Sequence, residues 1–450
     1  MKRFTVFLLI IILSFSSCNW DEGEEVNPVA TLAALTSETQ KNFIAFSNSE
    51  VAIYTGMLLQ QVSGVNGRML EMEQYKWLPE YFDGSWAVCY LGVFSNLSTI
   101  INLASENSLG KYRGIGRILL ANALGIATDL WGDIPFSESF ETLYPSFKPQ
   151  YDSQQEIYEK IFQLLDLGIE DMLNFSNEFY PASDDLFFNG NAQQWIGFAN
   201  FLKLRYQLHL IKINGMDPVY ELLDKPMFSQ PGQALVADYG EINAPNPLNG
   251  FLSNYPGQVR ASGSLVEILL EQDDPRLPVF FKRNTLNQYA GSGPGASDES
   301  ASVLSETINS SASKIILASY TEQMFIAAEI YFGKGLLSQA SLAFSEAVRS
   351  SLIDYNVFSD QWLQNYVDNT ELTLENIMEA KYSALFLQTE AWNDWRRTGY
   401  PSLEPSAGNQ TNGIIPRRFP YPLNELIYNS GNVPSDLVIT DPVWWDFLSN

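Results

Sequence analysis

Histidine occurs once in this chain, at His209, and cysteine twice, at Cys18 and Cys89. Two cysteines exclude a disulfide scaffold and any cysteine-based zinc centre. A single histidine excludes histidine-rich metal sites. It also leaves His209 as the only base for a serine–histidine–aspartate triad, and its nearly all-apolar helical setting suits a packed, hydrogen-bonded residue better. Positive charge is scarce as well, with 26 lysines and arginines against 52 acids and a formal charge of −26. Such a surface repels phosphate backbones, so nucleic acid is excluded as a partner, and anionic membrane faces with it. The apolar run Phe4 to Phe15 is too short to cross a bilayer. It sits behind Lys2 and Arg3 and reads as a secretory signal peptide over residues 1–17.

The end of that run carries a second signal. Phe15-Ser16-Ser17-Cys18 resembles a bacterial lipobox, with small residues before the cysteine that is cleaved and lipidated. An ordinary signal peptide with a chance cysteine is the alternative. Cleavage removes Lys2 and Arg3 and no acid, which leaves 24 basic against 52 acidic side chains and a formal charge of −28. Residues 18–28 form the lipidated N-terminus and an acidic tether, and residues 29–450 remain for the folded domain. Hydrophobic residues make up 46% of the chain, enough for a substantial core.

The best-patterned stretch is Tyr320 to Ser351, two helices joined at Gly333-Lys334-Gly335. Met324, Ala327, Ala328 and Tyr331 recur at helical spacing on the first, and Leu336, Ala340, Ala343, Phe344 and Ala347 on the second. Small residues allow the backbones to approach, and the spacing fits a tetratricopeptide helix pair. One such pair cannot bury its own apolar stripe, so others must stack on it. Helical periodicity predicts them at about 37–62, 85–104, 111–130, 152–174, 192–213, 262–272 and 374–395. Between them lie long irregular stretches. One is a loop over 64–85 holding Arg68, Tyr75, Trp77, Tyr81, Phe82 and Asp83. The others are a proline-rich stretch over 214–256, a Ser/Gly/Ala-rich loop over 284–313 with the single aromatic Tyr289, and a tail from Gly399. The expected fold is mostly α, tetratricopeptide-like helix pairs in an α–α superhelix carrying long irregular insertions. Structured loops on a rigid helical scaffold are where binding tends to sit.

Several blocks, taken in order, carry a family resemblance. They are Cys18 with Asp21, Glu22, Glu24 and Glu25 behind it, Trp131-Gly132-Asp133-Ile134-Pro135-Phe136-Ser137, Tyr151-Asp152, Asp274-Pro275-Arg276-Leu277, the 320–351 pair, Trp392 to Pro401, and Ile415 to Pro422. Together they resemble the SusD/RagB outer-membrane lipoproteins of Bacteroidetes. The resemblance implies four tetratricopeptide-like pairs and a lipid-anchored protein at the cell surface. It also implies a lid on a SusC-like, TonB-dependent transporter, an oligosaccharide or sometimes a peptide as ligand, and no catalysis. The acidic residues after Cys18 resemble a surface-export signal.

Sugar recognition requires flat aromatic faces and polar groups for the hydroxyls. On that logic Trp77, Tyr81 and Tyr75, with Arg68 and Asp83 beside them and Tyr289 from the later loop, are the candidate ligand residues. The alternative is that Trp77 and Tyr81 pack the loop onto the helices. The later loop lacks a tryptophan, which departs from an aromatic arc and leaves a peptide ligand or a non-binding interaction scaffold open. Asp133, Arg276, Asp394, Arg396 and Arg397 read as structural. No cofactor is expected. Calcium is unsupported, because Asp184-Asp185 and Asp273-Asp274 lack the spacing of an EF-hand loop.

Overall fold

The structure is a computed structural model and describes residues 27–140, 146–175, 184–242 and 244–447. The expected signal peptide, Cys18 and most of the expected tether lie outside the described residues. The fold is mostly helical, with two small two-stranded sheets among the described residues.

Helix α1 (Pro28–Ser47) starts nearer the N-terminus than the periodicity predicts. Asn27 caps it by accepting from the Val29 amide, and Pro28 occupies the first turn, where its missing N–H costs nothing. The predicted 37–62 helix breaks at Asn48-Ser49, and the rest is α2 (Glu50–Leu58) and strand β1 (Val62–Gly64). The predicted loop 64–85 is partly ordered. It holds α3 (Gly67–Glu73) and a 3-10 turn (Pro79–Phe82), and at Asp83 it enters a helical rod that ends as α4 (Ser95–Glu106). Next come α5 (Gly110–Trp131) and α6 (Gln154–Asn174), the latter opened by a reciprocal cap between Ser153 and Glu156. These two approach at a pair of glycines. A Cβ on Gly168 would stand 2.6 Å from Ile118, and one on Gly114 would stand 3.2 Å from the Gly168 carbonyl. Arg113 and Arg117 both reach Asp171 across this seam at 2.6 Å.

Helix α7 (Ala192–His209) is buried on nearly all sides, and its apolar residues show no stripe. Strand β2 (Ala234–Asp238) lies in the proline-rich stretch, where the composition predicts irregular structure, and strand β3 (Val259–Ala261) follows just after it. Strand β4 (Lys314–Ser319) pairs antiparallel with β2 through a bulge at Leu235/Val236, and β3 pairs antiparallel with β1. The patterned pair appears as α8 (Tyr320–Gly333) and α9 (Leu337–Asp354). Ala328, Ala340 and Ala347 are fully buried as expected, whereas Met324 and Tyr331 are only half-buried and Phe325, Ile326 and Ile330 are the deeper residues. Helix α8 is covered on more than one side, so its stripe is broader than the one predicted. An unpredicted α10 (Asp360–Asn369) packs on α9. The expected 374–395 helix is split into α11 (Leu374–Ala384) and α12 (Glu390–Thr398). Gln61 enters that break. It accepts from the Leu387 amide at 2.8 Å and donates to the Tyr382 carbonyl at 2.9 Å.

At the centre the elements meet on buried charge. His209 contacts Tyr158 Oη through Nδ1 at 2.8 Å and Glu390 through Nε2 at 2.6 Å, with Asp129 at 3.3 Å. Asp129 also accepts from Tyr158 and Trp445. Arg205 pairs with Glu322, Arg397 with Glu329 and Asp394, and Lys381 with Asp394. Arg396 lies 3.8 Å from the Trp392 ring centre and donates to the Asp129 carbonyl. Arg276 pairs with Asp274 at 2.5 Å, and Asp133 accepts from the Gln154 amide. All five residues assigned structural roles are held by such contacts.

Burial alone would lower the His209 pKa, but Glu390 and Asp129 outweigh it and raise the group from 6.5 to about 9. A raised pKa stabilises the fold below the unfolded value and loses that contribution as pH climbs through the folded one. His209→Gln removes the cation that two buried carboxylates share, and leaves Glu390 only the more distant Arg205. The expected cost is on the order of 3 kcal/mol near pH 6. The gap in thermal stability between the parent protein and this variant should narrow between about pH 6.5 and pH 9. A gap that stays constant across that window would mean His209 is neutral.

Candidate functional site

The candidate residues sit where α3 and the 3-10 turn fold back over α2 and the C-terminal tail. Arg68, in the first turn of α3, organises them. Its guanidinium donates to Tyr255 Oη and Tyr54 Oη, each at 2.7 Å, and to the Tyr81 carbonyl at 3.0 Å. It also lies 4.2 Å from the centre of the Tyr81 ring. Tyr81 donates its hydroxyl to Glu71 at 2.9 Å. The half-exposed phenol is therefore fixed by a cation against its ring and a carboxylate on its hydroxyl. This is the orientation-fixing arrangement a preformed binding surface needs.

The other candidates divide. Trp77 is half-buried. Its indole N–H donates to the Met72 carbonyl at 2.9 Å, and its ring meets Phe82 and Phe419 at 5.4 and 5.3 Å. It packs the turn onto the tail and keeps part of its surface in solvent. Tyr75 corrects the expectation. Its backbone is left-handed, at φ +58°, and its ring turns inward to 3% exposure, where its hydroxyl accepts from the Ser406 amide. It supports the surface from below and offers no face to a ligand. Asp83 accepts from the Asn424 amide at 3.0 Å and so anchors the tail. Tyr289 is half-buried on the later loop beneath Arg283, 4.6 Å from its ring centre.

The early and late loops are joined at Glu73. This carboxyl accepts from Ser63, Gly64 and Gly295. Burial raises its pKa to about 7, against the pull of those donors. Tyr255 and Tyr54 have no signature in the sequence, because nothing local ties either of them to Arg68. Two clefts flank β4, of about 330 and 780 Å³, and share Lys314, Ile316, Asp354 and Asn356. None of the six candidates lines either cleft. Among the described residues no group of three or more His, Cys, Asp or Glu side chains is arranged to hold a metal ion.

With this geometry in place, comparison with known proteins is decisive for the family. A family model described as starch-binding and associating with the outer membrane, SusD-like, matches residues 24–422. The chain belongs to the SusD-like family. Its fold also matches solved structures over more than nine-tenths of the chain. One titled a chitin-binding protein superposes with a TM-score of 0.80 at 22% identity, over 93% of this chain and 100% of that one. A SusD/RagB family protein from Bacteroides thetaiotaomicron gives 0.79 at 23%, over 93% and 99%. A chitin-binding SusD homologue from Flavobacterium johnsoniae gives 0.79 at 20%, over 93% and 99%. No curated protein matches. At these identities the structures establish the fold of this SusD-like chain and leave its ligand to its own side chains.

Arg68 is the test of the surface. Arg68→Ala strips the buried Tyr54 and the half-buried Tyr255 of their donor and should cost roughly 1–3 kcal/mol. Arg68→Lys should recover little of that loss, since an ammonium cannot reproduce the planar fork. Thermal melting of the three proteins checks this. Equal melting of the lysine variant and the parent would show that the fork geometry is immaterial.

Proposed function

We propose that this SusD-like protein captures oligosaccharides at the cell surface and delivers them to a SusC-like, TonB-dependent outer-membrane transporter. In this reading residues 1–17 are removed as a signal peptide. Cys18 carries the lipid that holds the protein in the outer membrane, and the acidic residues behind it serve export to the outer face. The protein works by binding, with no catalytic step. The family match over residues 24–422, whose description is starch-binding and outer-membrane associated, carries the proposal. Two structural neighbours, a chitin-binding protein and a chitin-binding SusD homologue, point to the same ligand class.

The Arg68–Tyr81–Tyr255 surface supplies the chemistry such a ligand requires. Tyr81 and the exposed part of Trp77 offer flat faces to the C–H-rich side of a sugar ring. The Tyr81 and Tyr255 hydroxyls and Glu71 lie within reach of its hydroxyl groups. Peptide capture is the second reading. It is favoured by Arg68 itself, whose hydrogen bonds all go to neutral oxygens, so that a ligand carboxylate could draw on its charge.

A panel of neutral oligosaccharides and mixed peptides, screened by calorimetry against the mature protein, separates the two. Glycan binding should weaken about tenfold or more in Tyr81→Ala, equivalent to at least about 1.4 kcal/mol. Trp77→Ala should weaken it as well. Saturable binding of peptides with silent glycans would move the protein to the second reading. Glycan affinity unchanged in both variants would place the ligand elsewhere on the molecule.

A further inference from the structure

A second aromatic surface lies far from these residues in the packing. Whereas Trp77 and Tyr81 pack against the large core, α10 belongs to a separate apolar cluster with Phe344 of α9 and Ile377 of α11. Where α10 meets that cluster, three rings from α9 and α10 form a stack. Phe344 is buried. Tyr366 lies 6.3 Å from it at 28°, and Trp362 lies 4.9 Å beyond Tyr366 at 9°. Trp362, at the far end of the stack from Phe344, is half-buried, as is Tyr366. Its indole N–H donates to the Gln272 carbonyl at 3.0 Å, which fixes the plane of the ring. Between α10 and the turn at 271–273 opens a groove of about 1020 Å³.

The rim of that groove is made of carboxamides and acids. Gln364 donates its amide to Asp368 at 2.8 Å, and Asn369 donates to the Asn365 side chain at 3.1 Å. These bonds hold the side chains in place while leaving the Gln364 and Asn369 oxygens as acceptors and the Asn365 amide as a donor. No lysine or arginine lines the groove, and Glu271, Asp273 and Asp368 do. An anionic ligand would be repelled. Packing of α10 onto its neighbours accounts for the buried end of the stack, but it does not require an indole that is left half-open and pinned across to a neighbouring turn.

We propose that this groove is a second binding site for neutral oligosaccharides, with Trp362 as the stacking platform and Gln364, Asn365 and Asn369 as hydroxyl partners. It is independent of the Arg68 surface. A long glycan bridging two such sites, on one molecule or on neighbouring ones, would be retained by effective concentration even where each contact is weak.

Hydroxyl-radical footprinting of the full mature lipoprotein in detergent tests the proposal. The probes are chitohexaose, maltohexaose, cellohexaose and xylohexaose at millimolar concentration, with a hyaluronan hexasaccharide as the anionic control. At a concentration near the dissociation constant, half the sites are filled, and oxidation of Trp362 and Tyr366 should fall roughly twofold with at least one neutral probe. The protection should persist in Tyr81→Ala and vanish in Asn365→Arg, which blocks the groove from an exposed position without touching the stack. Protection at Trp362 with none at Trp77 or Tyr81 would support this groove and count against the Arg68 surface. No protection from any neutral probe, equal protection by hyaluronan, or protection that survives Asn365→Arg would overturn the proposal.

Discussion

The fold depends on one buried constraint, the imidazole of His209 held between Asp129 and Glu390. The ring is fully buried, and its two nitrogens are committed to groups from three different helices, Tyr158 and Asp129 on one side and Glu390 on the other. Each carboxylate is bound in turn. Asp129 takes Trp445 and Asn393, and Glu390 takes Asn393 and lies 3.7 Å from Arg205. Buried ion pairs are poor net stabilisers, because desolvation offsets much of their attraction, but breaking one strands a charge. Such a network therefore selects an arrangement more than it adds stability. Here it joins the ends of α5, α6, α7 and α12 at one point.

The same network reaches the loops. Phe419 donates its amide to the Leu130 carbonyl at the end of α5, and the Trp131 indole donates to the Pro420 carbonyl. Arg396 donates to the Arg417 carbonyl, and Arg417 pairs with Asp446. The tail is thereby clamped to the charged centre. Phe419 then carries Trp77 and Phe82 on its other sides, at 5.3 and 4.9 Å. The early aromatic turn is thus built against a tail segment more than three hundred residues away, and its rigidity derives from the centre of the molecule. A loop that would be mobile alone is preorganised, which lowers the entropy a ligand must overcome on binding.

Much of this architecture is legible in the residues, for reasons that differ between elements. Helices α5, α6, α8 and α9 lie within a few residues of their predicted ranges, because each keeps an apolar period near 3.6. The breaks are not legible. A run such as 374–395 keeps its helical character through Leu385 and Leu387, and only the arrival of Gln61, a residue distant in sequence, shows where the chain must turn. Strand β4 is hidden because it pairs with a partner some eighty residues earlier, and a short apolar run has no period of its own to declare it. The structural roles of Arg276, Arg396 and Arg397 follow from charges placed within apolar blocks, where burial demands a partner.

The candidate surface shows the limit of the same reasoning. Clustering of aromatics in one loop points to Arg68, Trp77 and Tyr81, and these do gather around one turn. Which way each ring faces is decided by the backbone. At Tyr75 a left-handed residue reverses the side chain into the core, a choice that composition does not reveal. Tyr255 and Tyr54 complete the Arg68 cluster from segments with no local cue. The Trp362–Tyr366 stack is silent in the sequence for a related reason. An i,i+4 aromatic pair on a short amphipathic helix reads as core, and only its position at the edge of the apolar cluster exposes it. In a chain so rich in aromatic residues, the type of a residue therefore says little about binding. A ring held in place by a hydrogen bond yet left partly open to solvent says more, and Trp77, Tyr81 and Trp362 each meet that condition.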